Sequence, residues 1–257
     1  MTEVATLSPA AAVWRIKIFG VLDSTSDFCR DLAAAGEPEG LAVLARAQNR
    51  GRGSRGRSWT SAPGNLFLSA LLRPHGALRD VGSWSLLAGV ALAEAVSGLV
   101  PAARLSLKWP NDLLLDGIKM AGILVDATAD PGGDLDALVI GFGVNLAVAP
   151  EVAGRGTTAV AALAPPPSPE CFAANLLDRL NHWRHVAAVG GFAPVHTAWL
   201  ARAQPIGTPM SLAMADHVVA GRFAGISEHG ALRLTTGTSE KTFTVGELHL
   251  QPAGAGA

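Results

Sequence analysis

Gln48-Asn49-Arg50-Gly51-Arg52-Gly53-Ser54-Arg55-Gly56-Arg57-Ser58-Trp59 is the stretch on which the fold turns. It follows an apolar run at residues 41–47, and Gly51, Gly53 and Gly56 satisfy the G-x-G-x-x-G pattern of a dinucleotide-binding turn. That pattern must open a helix whose N-terminus takes the pyrophosphate, with an acidic residue about twenty positions on. Here Ser58-Trp59-Thr60-Ser61-Ala62-Pro63-Gly64 follows, which reads as loop, and the next acidic residue is Asp80. A Rossmann fold is therefore rejected. What remains is a concentration of arginine and glycine in a chain that is otherwise only 16% charged. Glycines let backbone N–H groups approach an anion, and guanidinium forks suit phosphate or carboxylate oxygens. The stretch reads as a mobile anion-binding loop that closes over a phosphorylated ligand; a solvated basic turn is the plainer alternative.

The rest of the composition makes this local basicity informative. The chain has 257 residues, 49% of them hydrophobic, and a formal net charge of −1. That suits one large globular domain, alone or with a small appendage, and nothing global favours nucleic acid or a membrane surface. Cys29 and Cys171 read as buried thiols in a reducing compartment. The first twelve residues carry no basic n-region, so no signal peptide is expected. The most apolar segment, 86–100, is broken by Gly89, Glu94, Ser97 and Gly98, too short a run to span a bilayer. A cytoplasmic protein is expected.

Working outward, residues 13–19 alternate as a half-buried strand does, and Asp23-Ser24-Thr25-Ser26 offers helix caps before a helix at 27–35 stopped by Gly36. Strands are expected at 41–47, 65–72, 104–108, 118–125 and 135–142, with a long buried helix at 83–99. Asp116-Gly117 between two apolar runs is a strong hairpin signal, and the hairpin carries Lys119 back alongside the strand that Asp112 begins. After a loop with a short helix, Ser168-Pro169 starts a helix to about residue 185, and another spans 192–201. From Gly207 the texture becomes short strands with turns at 216–217, 228–230 and 236–237. The expected fold is α+β: a mixed sheet with helices on one side in a body at 13–205, then a small β-barrel at 206–251, with tails at 1–12 and 252–257.

Two further groups invite chemistry. Lys108-Trp109-Pro110-Asn111-Asp112 ends a strand with several polar side chains at one sheet edge, or is an ordinary proline turn. Lys119 lies among Ile118, Met120, Ile123 and Leu124, where burial demands an anionic partner unless the side chain reaches solvent. His182 and His185 lack a third ligand at metal-site spacing, and no P-loop or G-x-S-x-G elbow is present.

Together these pieces resemble the biotin protein ligases over nearly the whole chain. Asp23 to Ser26 is similar to that family's D-S-T-N, and Gln48 to Trp59 to its Q-x-x-G-R-G-R-x-G-R-x-W loop. Lys108 to Asp126 is similar to its K-W-P-N-D…K-x-A-G-I-L-V-E segment, and Gly141 to Leu146 to its G-x-G-[IV]-N stretch. The resemblance implies a body like that of class II aminoacyl-tRNA synthetases with an SH3-like C-terminal barrel. It also implies an ATP-dependent ligase that makes biotinyl-5′-AMP and transfers biotin to a lysine of a biotin carboxyl carrier domain. By the same resemblance Lys119, Arg52 and Asp112 are catalytic, and Ser24, Thr25, Ser26, Gln48, Arg52, Gly53, Ser54 and Lys119 bind biotin. Arg55, Arg57, Trp59, Lys108, Asn111, Asp112 and Asn145 would serve ATP, with Mg²⁺ brought by the nucleotide and no protein-only metal site. Ser54 departs from the family's common arginine, which implies weaker retention of the adenylate unless Arg55 or Arg57 substitutes. The resemblance admits a homodimer. With the body beginning near residue 13, no DNA-binding segment is expected ahead of it. A lipoate or octanoyl ligase, which would carry an R-R-x-x-G-G-G run, and a non-catalytic biotin-binding protein remain the alternatives.

Overall fold

The computed structural model describes residues 4–6, as backbone only, and 14–250. A mixed sheet of eight strands runs in the order β1 (Val4–Thr6), β2 (Arg15–Leu22), β3 (Leu41–Gln48), β4 (Leu66–Leu72), β8 (Leu135–Val144), β7 (Ile118–Ala129), β6 (Asp112–Leu115), β5 (Leu105–Lys108). Only β2 and β3 pair in parallel; every other pair is antiparallel. β1 falls in the stretch expected to be an N-terminal tail; the expected tail at 252–257 lies outside the described residues.

Strand periodicity sorts the core into two layers. On β3, Ala42 and Leu44 join the large cluster under α2 (Val81–Ser97), α3 (Pro169–Gly190) and α4 (Ala193–Leu200). Leu41 and Val43, pointing the other way, meet Cys29 and Ala33 of α1 (Thr25–Ala34). The expectation of helices on one side therefore holds for α2 to α4, while α1 covers part of the opposite face. The parity of β3, not visible until β4 and β8 flank it, explains the difference. β4 is buried on both faces, and α2, apolar nearly all round, is enclosed by the sheet, α3 and α4.

The Asp116-Gly117 hairpin forms as the sequence predicts: both residues have positive φ (51° and 76°), and Leu115 faces Ile118. Cys29 is buried, but Cys171 is exposed on the first turn of α3, correcting the expectation of two buried thiols. Ser168 caps that helix, which turns Cys171 outward.

A second, five-stranded antiparallel sheet runs in the order β12 (Ser239–Phe243), β11 (Leu232–Thr236), β10 (Val218–Ile226), β9 (Pro209–Ala213), β13 (Glu247–Leu250). Its inner residues Leu212, Phe223, Leu232 and Leu234 share the main core cluster, and Phe223 meets Trp199 of α4 edge-on. The turn at 228–230 docks on the body: Trp109 Nε1 donates to the Gly230 carbonyl (3.0 Å), and His229 Nδ1 lies 2.8 Å from Asp80 Oδ1. Gly82 is needed there, since a Cβ would stand 2.5 Å from the His229 carbonyl oxygen. No helix among the described residues is long and apolar enough to cross a membrane.

Candidate active site

The site lies on the sheet face that α1 only partly covers. The arginine loop is a compact hairpin: Trp59 N donates to the Gly51 carbonyl (2.8 Å), Gly53 N to the Arg57 carbonyl (2.7 Å), and Arg52 bridges Ser58. Gly51 permits this closure, because a Cβ would come 2.5 Å from Trp59 O. The hairpin returns Trp59 across the sheet, and its indole lies on a floor of glycines. A Cβ on Gly143 would stand 2.4 Å from Trp59 Cε2, and one on Gly122 2.9 Å from Cζ3. Trp59 Nε1 is buried without a hydrogen-bond partner among the described residues.

A cleft of about 440 Å³, open mouth included, lies between this loop and the floor. One end is polar. Thr25 donates from N and Oγ1 to Gln48 Oε1 (2.8 and 3.1 Å), Ser69 Oγ donates to Thr25 Oγ1 (2.9 Å), and Ser26 Oγ lies 3.1 Å from Ser69 Oγ. Ser24 caps α1 through the Asp27 amide (3.3 Å) and so sets the angle at which Thr25 and Ser26 enter this cluster. Gly141 completes it, since a Cβ there would stand 2.5 Å from Ser26 Oγ.

The other end is ionic. Lys119 reaches it through a β-bulge: Leu114 faces Lys119 but Leu113 faces Ala121, leaving Met120 as the extra residue. Regular alternation would place Lys119 on the same face as Ala121 and Ile123, against the helices. The bulge instead buries Met120 there and turns Lys119 toward Gly122 and the cavity. Lys119 Nζ donates to Asp112 Oδ1 at 2.5 Å and lies 5.6 Å from the Trp59 ring centroid. Asp112 Oδ2 also pairs with Lys108 (3.7 Å). Burial, aided by the Lys119 charge, holds the Lys108 ammonium below the ordinary lysine range in spite of Asp112.

A second cavity, about 570 Å³ with its mouth, adjoins the first. It is lined by Arg55, Arg57, Lys108, Asn111 and Asp112, and by the 244–248 segment of the C-terminal sheet. Ser54 and Asn111 line both cavities, and the Lys119–Asp112 pair spans the partition. The Asn111 amide is fixed by the Ile123 carbonyl (2.6 Å).

The structure thus brings together Thr25, Ser26, Gln48, Arg52, Gly53, Ser54, Trp59, Asn111 and Lys119 around the first cavity, and Arg55, Arg57, Lys108 and Asp112 around the second. Two predicted residues stand elsewhere. Ser24 acts as the helix cap, and Asn145 is buried outside both linings, where its amide donates to the Thr158 carbonyl (3.1 Å) and pins the 157–160 segment. Arg52 is engaged by carboxylates: Nη1 donates to Asp27 Oδ1 (2.9 Å) and Asp126 Oδ2 (2.8 Å). Sequence reasoning missed Asp27, Asp126, Ser69, Glu247 and the glycine floor. The legible signs among them were the serine interrupting the apolar run of β4 and the family-like motifs that hold Gly122, Asp126, Gly141 and Gly143. No group of three or more His, Cys, Asp or Glu among the described residues is placed to hold a metal ion.

Known proteins resemble this chain in sequence and in fold. The Biotin/lipoate A/B protein ligase family model matches residues 18–145. A biotin–[acetyl-CoA-carboxylase] ligase of Paracoccus denitrificans is 40% identical over 205 residues, covering 75% of this chain and 82% of the relative. The bifunctional ligase/repressor BirA of Escherichia coli is 34% identical over 244 residues, covering 93% and 74% respectively. The fold matches the biotin protein ligase of Aquifex aeolicus, solved with biotin and ATP, at a TM-score of 0.76 and 24% identity over 93% of this chain and 99% of that one. The family model and these relatives place the chain among the ligases of the biotin/lipoate group. Within that group, the chain belongs to the biotin protein ligase family.

Proposed function

We propose that this chain activates biotin with ATP as biotinyl-5′-AMP and then passes the biotinyl group to a lysine of a biotin carboxyl carrier domain. The observation that carries this is the pairing of the two cavities across Lys119 and Asp112: a hydroxyl-and-amide pocket on one side, an arginine-rich one on the other. The relatives named as biotin–[acetyl-CoA-carboxylase] ligases, and a biotin protein ligase of Leishmania major solved with biotinyl-5-AMP (TM-score 0.64), support the same reading.

In the first cavity, Thr25, Ser26 and Gln48, braced from behind by Ser69, offer the mixed donors and acceptors that a cyclic urea requires. A ligand held there directs its carboxylate toward Lys119. A carboxylate oxygen attacks the α-phosphorus, the bond from that phosphorus to the bridging oxygen breaks, and pyrophosphate leaves with the electron pair. Attack by an anion on a polyanion is governed by positioning and by positive charge. Lys119 supplies charge to the reacting oxygens, and Arg55, Arg57 and Lys108 supply it to the phosphates. Asp112, on the partition, fits a nucleotide-borne Mg²⁺, which takes one or two carboxylates along with phosphate oxygens and would neutralise phosphate charge. In the second step the acceptor lysine's neutral amine attacks the acyl carbon, AMP leaves, and the amide nitrogen sheds a proton.

The test is incubation with ATP, Mg²⁺ and either biotin or lipoate, followed by detection of pyrophosphate and the acyl-adenylate. Biotin-dependent formation of both supports the proposal; preference for lipoate, or no adenylate with either acid, overturns it.

A further inference from the structure

The resemblance makes Arg52 catalytic, yet its guanidinium is already engaged by two carboxylates from different elements. Nη1 donates to Asp126 Oδ2 on β7 (2.8 Å) and to Asp27 Oδ1 on the first turn of α1 (2.9 Å), and Nη2 lies 3.4 Å from Asp126 Oδ1. Asp126 follows Gly122 and Leu124 at the strand period of two, which puts it on the site face of β7. Asp27 also pairs with Arg30 (2.8 Å), whereas Arg52 is the one ion-pair partner of Asp126 among the described residues. Burial works against the Arg52 cation, but Asp126 and then Asp27 outweigh it and hold it above its ordinary range. Arg52 and Arg30 thus balance Asp27 and Asp126, and this end of the site keeps no surplus charge for a ligand's carboxylate. The surplus lies at the other end, where Lys119 and Lys108 share Asp112.

The loop itself needs an anchor. Its main-chain bonds close on one another, from Gly53 to Arg57, from Arg57 to Ser54 and from Trp59 to Gly51. Among the described residues, the polar side chains of 51–58 tie the loop to the rest of the molecule at two places. Arg52 reaches Asp27 and Asp126, while Arg55 and Arg57 gather on Glu247 of β13, in a cluster that Arg155 joins. Of the two, only the Arg52 tie fastens the loop to α1 and β7, the elements that wall the first cavity.

We propose that Asp126, assisted by Asp27, is a positioning residue that latches the arginine loop over the first cavity through the Arg52 guanidinium. This rests on the function proposed above and deepens it: Arg52 is the bolt, and its carboxylates set how much of the time the loop is closed. A site that is closed for a smaller share of the time binds its ligand more weakly by that share. The latch stands apart from Lys119, so it governs ligand retention and not the chemical step.

The loop carries its own reporter, because trypsin cleaves after arginine and residues 50–57 hold four of them. In native-state digestion of the full chain without ligand, read by mass spectrometry, Asp126→Asn is expected to be cut within 50–57 about tenfold faster than the parent, the loss of one charge-assisted contact, with no new cut elsewhere. Calorimetric Kd for biotin is expected to rise about tenfold and KM for biotin with it, while kcat stays unchanged. Asp126→Glu, which keeps the charge, is expected to lie within about threefold of the parent in both measurements. Asp116→Asn, which breaks an exposed pair with Arg104, is the control and is expected to change neither. In an Arg52→Ala background Asp126→Asn is expected to add less than about threefold. Equal loop cleavage in Asp126→Asn and the parent, no recovery in Asp126→Glu, or an undiminished effect without Arg52 overturns the latch. Faster cleavage with unaltered biotin affinity overturns its part in holding the ligand. Cleavage needs neither biotin nor ATP, and biotin-dependent pyrophosphate release by the parent chain reports separately on the proposed function, so the two can fail independently.

Discussion

Gly143→Ala tests the glycine floor. The added methyl would stand 2.4 Å from Trp59 Cε2 and 2.7 Å from Nε1, distances that real Cβ contacts do not show. Something must move, and β8 is held on both sides: Gly143 pairs with Phe67 of β4 and with Gly122 of β7. The indole is the part that can yield. Overpacking of this kind costs roughly 1–3 kcal/mol, and lifting the indole also breaks its contact with the Lys119 ammonium. Charged wholly to ligand binding, that cost is a fall of roughly fivefold to 150-fold in biotin affinity. Gly20→Ala on β2, where nothing lies within 4 Å of the added methyl, is the matched control. The assay is calorimetric titration with biotin alongside near-ultraviolet circular dichroism, which reports the indole's surroundings. Gly143→Ala with parental affinity and an unaltered aromatic spectrum would refute the reasoning.

Three further outcomes follow from particular contacts. Ser54 Oγ accepts from Arg57 Nη2 (3.1 Å), so Arg57 already leans over position 54; Ser54→Arg is expected to slow dissociation of the acyl-adenylate, and no slowing in a trapping assay would count against it. The Glu247 carboxyl is depressed in the folded chain, so its contribution is full above the unfolded carboxylate value, about 4.3, and is lost as pH falls through the folded one. Acid unfolding curves should accordingly be less steep for Glu247→Gln, and identical curves would show the cluster to be energetically idle. Cys29 is buried, with its thiol pushed up to about 12 chiefly by that burial, while Cys171 is exposed. Iodoacetamide at pH 8 should therefore add one label to the native chain, on Cys171, and two to the unfolded chain, as read by mass spectrometry.

Much of the fold was legible because its signals are local. Asp116-Gly117 fixed the hairpin through two positive φ angles, Ser168-Pro169 marked the start of α3, and the texture after Gly207 announced the second sheet. The helix starting at Thr25 was expected two residues later, because Thr25 and Ser26 are poor helix formers held in place by Gln48 and Ser69. What could not be read depends on pairing between distant strands. The bulge at Met120, which turns Lys119 to the ligand side, exists only in the register of β6 on β7. Gly122, Gly141 and Gly143 sit in family-like motifs, but their part as a floor shows only when one face of β7 and β8 is seen to lie beneath Trp59 and Ser26. Asp126 and Asp27 capture Arg52, and Glu247 captures Arg57 from 190 residues away, contacts with no trace in local spacing.

The central claim, that a carboxylate is activated beside Lys119, is tested most directly by biotin-dependent exchange of labelled pyrophosphate into ATP, compared between the parent chain and Lys119→Ala. The account predicts exchange only with biotin present in the parent chain, and none in a Lys119→Ala chain whose circular dichroism and melting show it folded. Exchange that proceeds without biotin, or at the parental rate in folded Lys119→Ala, would contradict it.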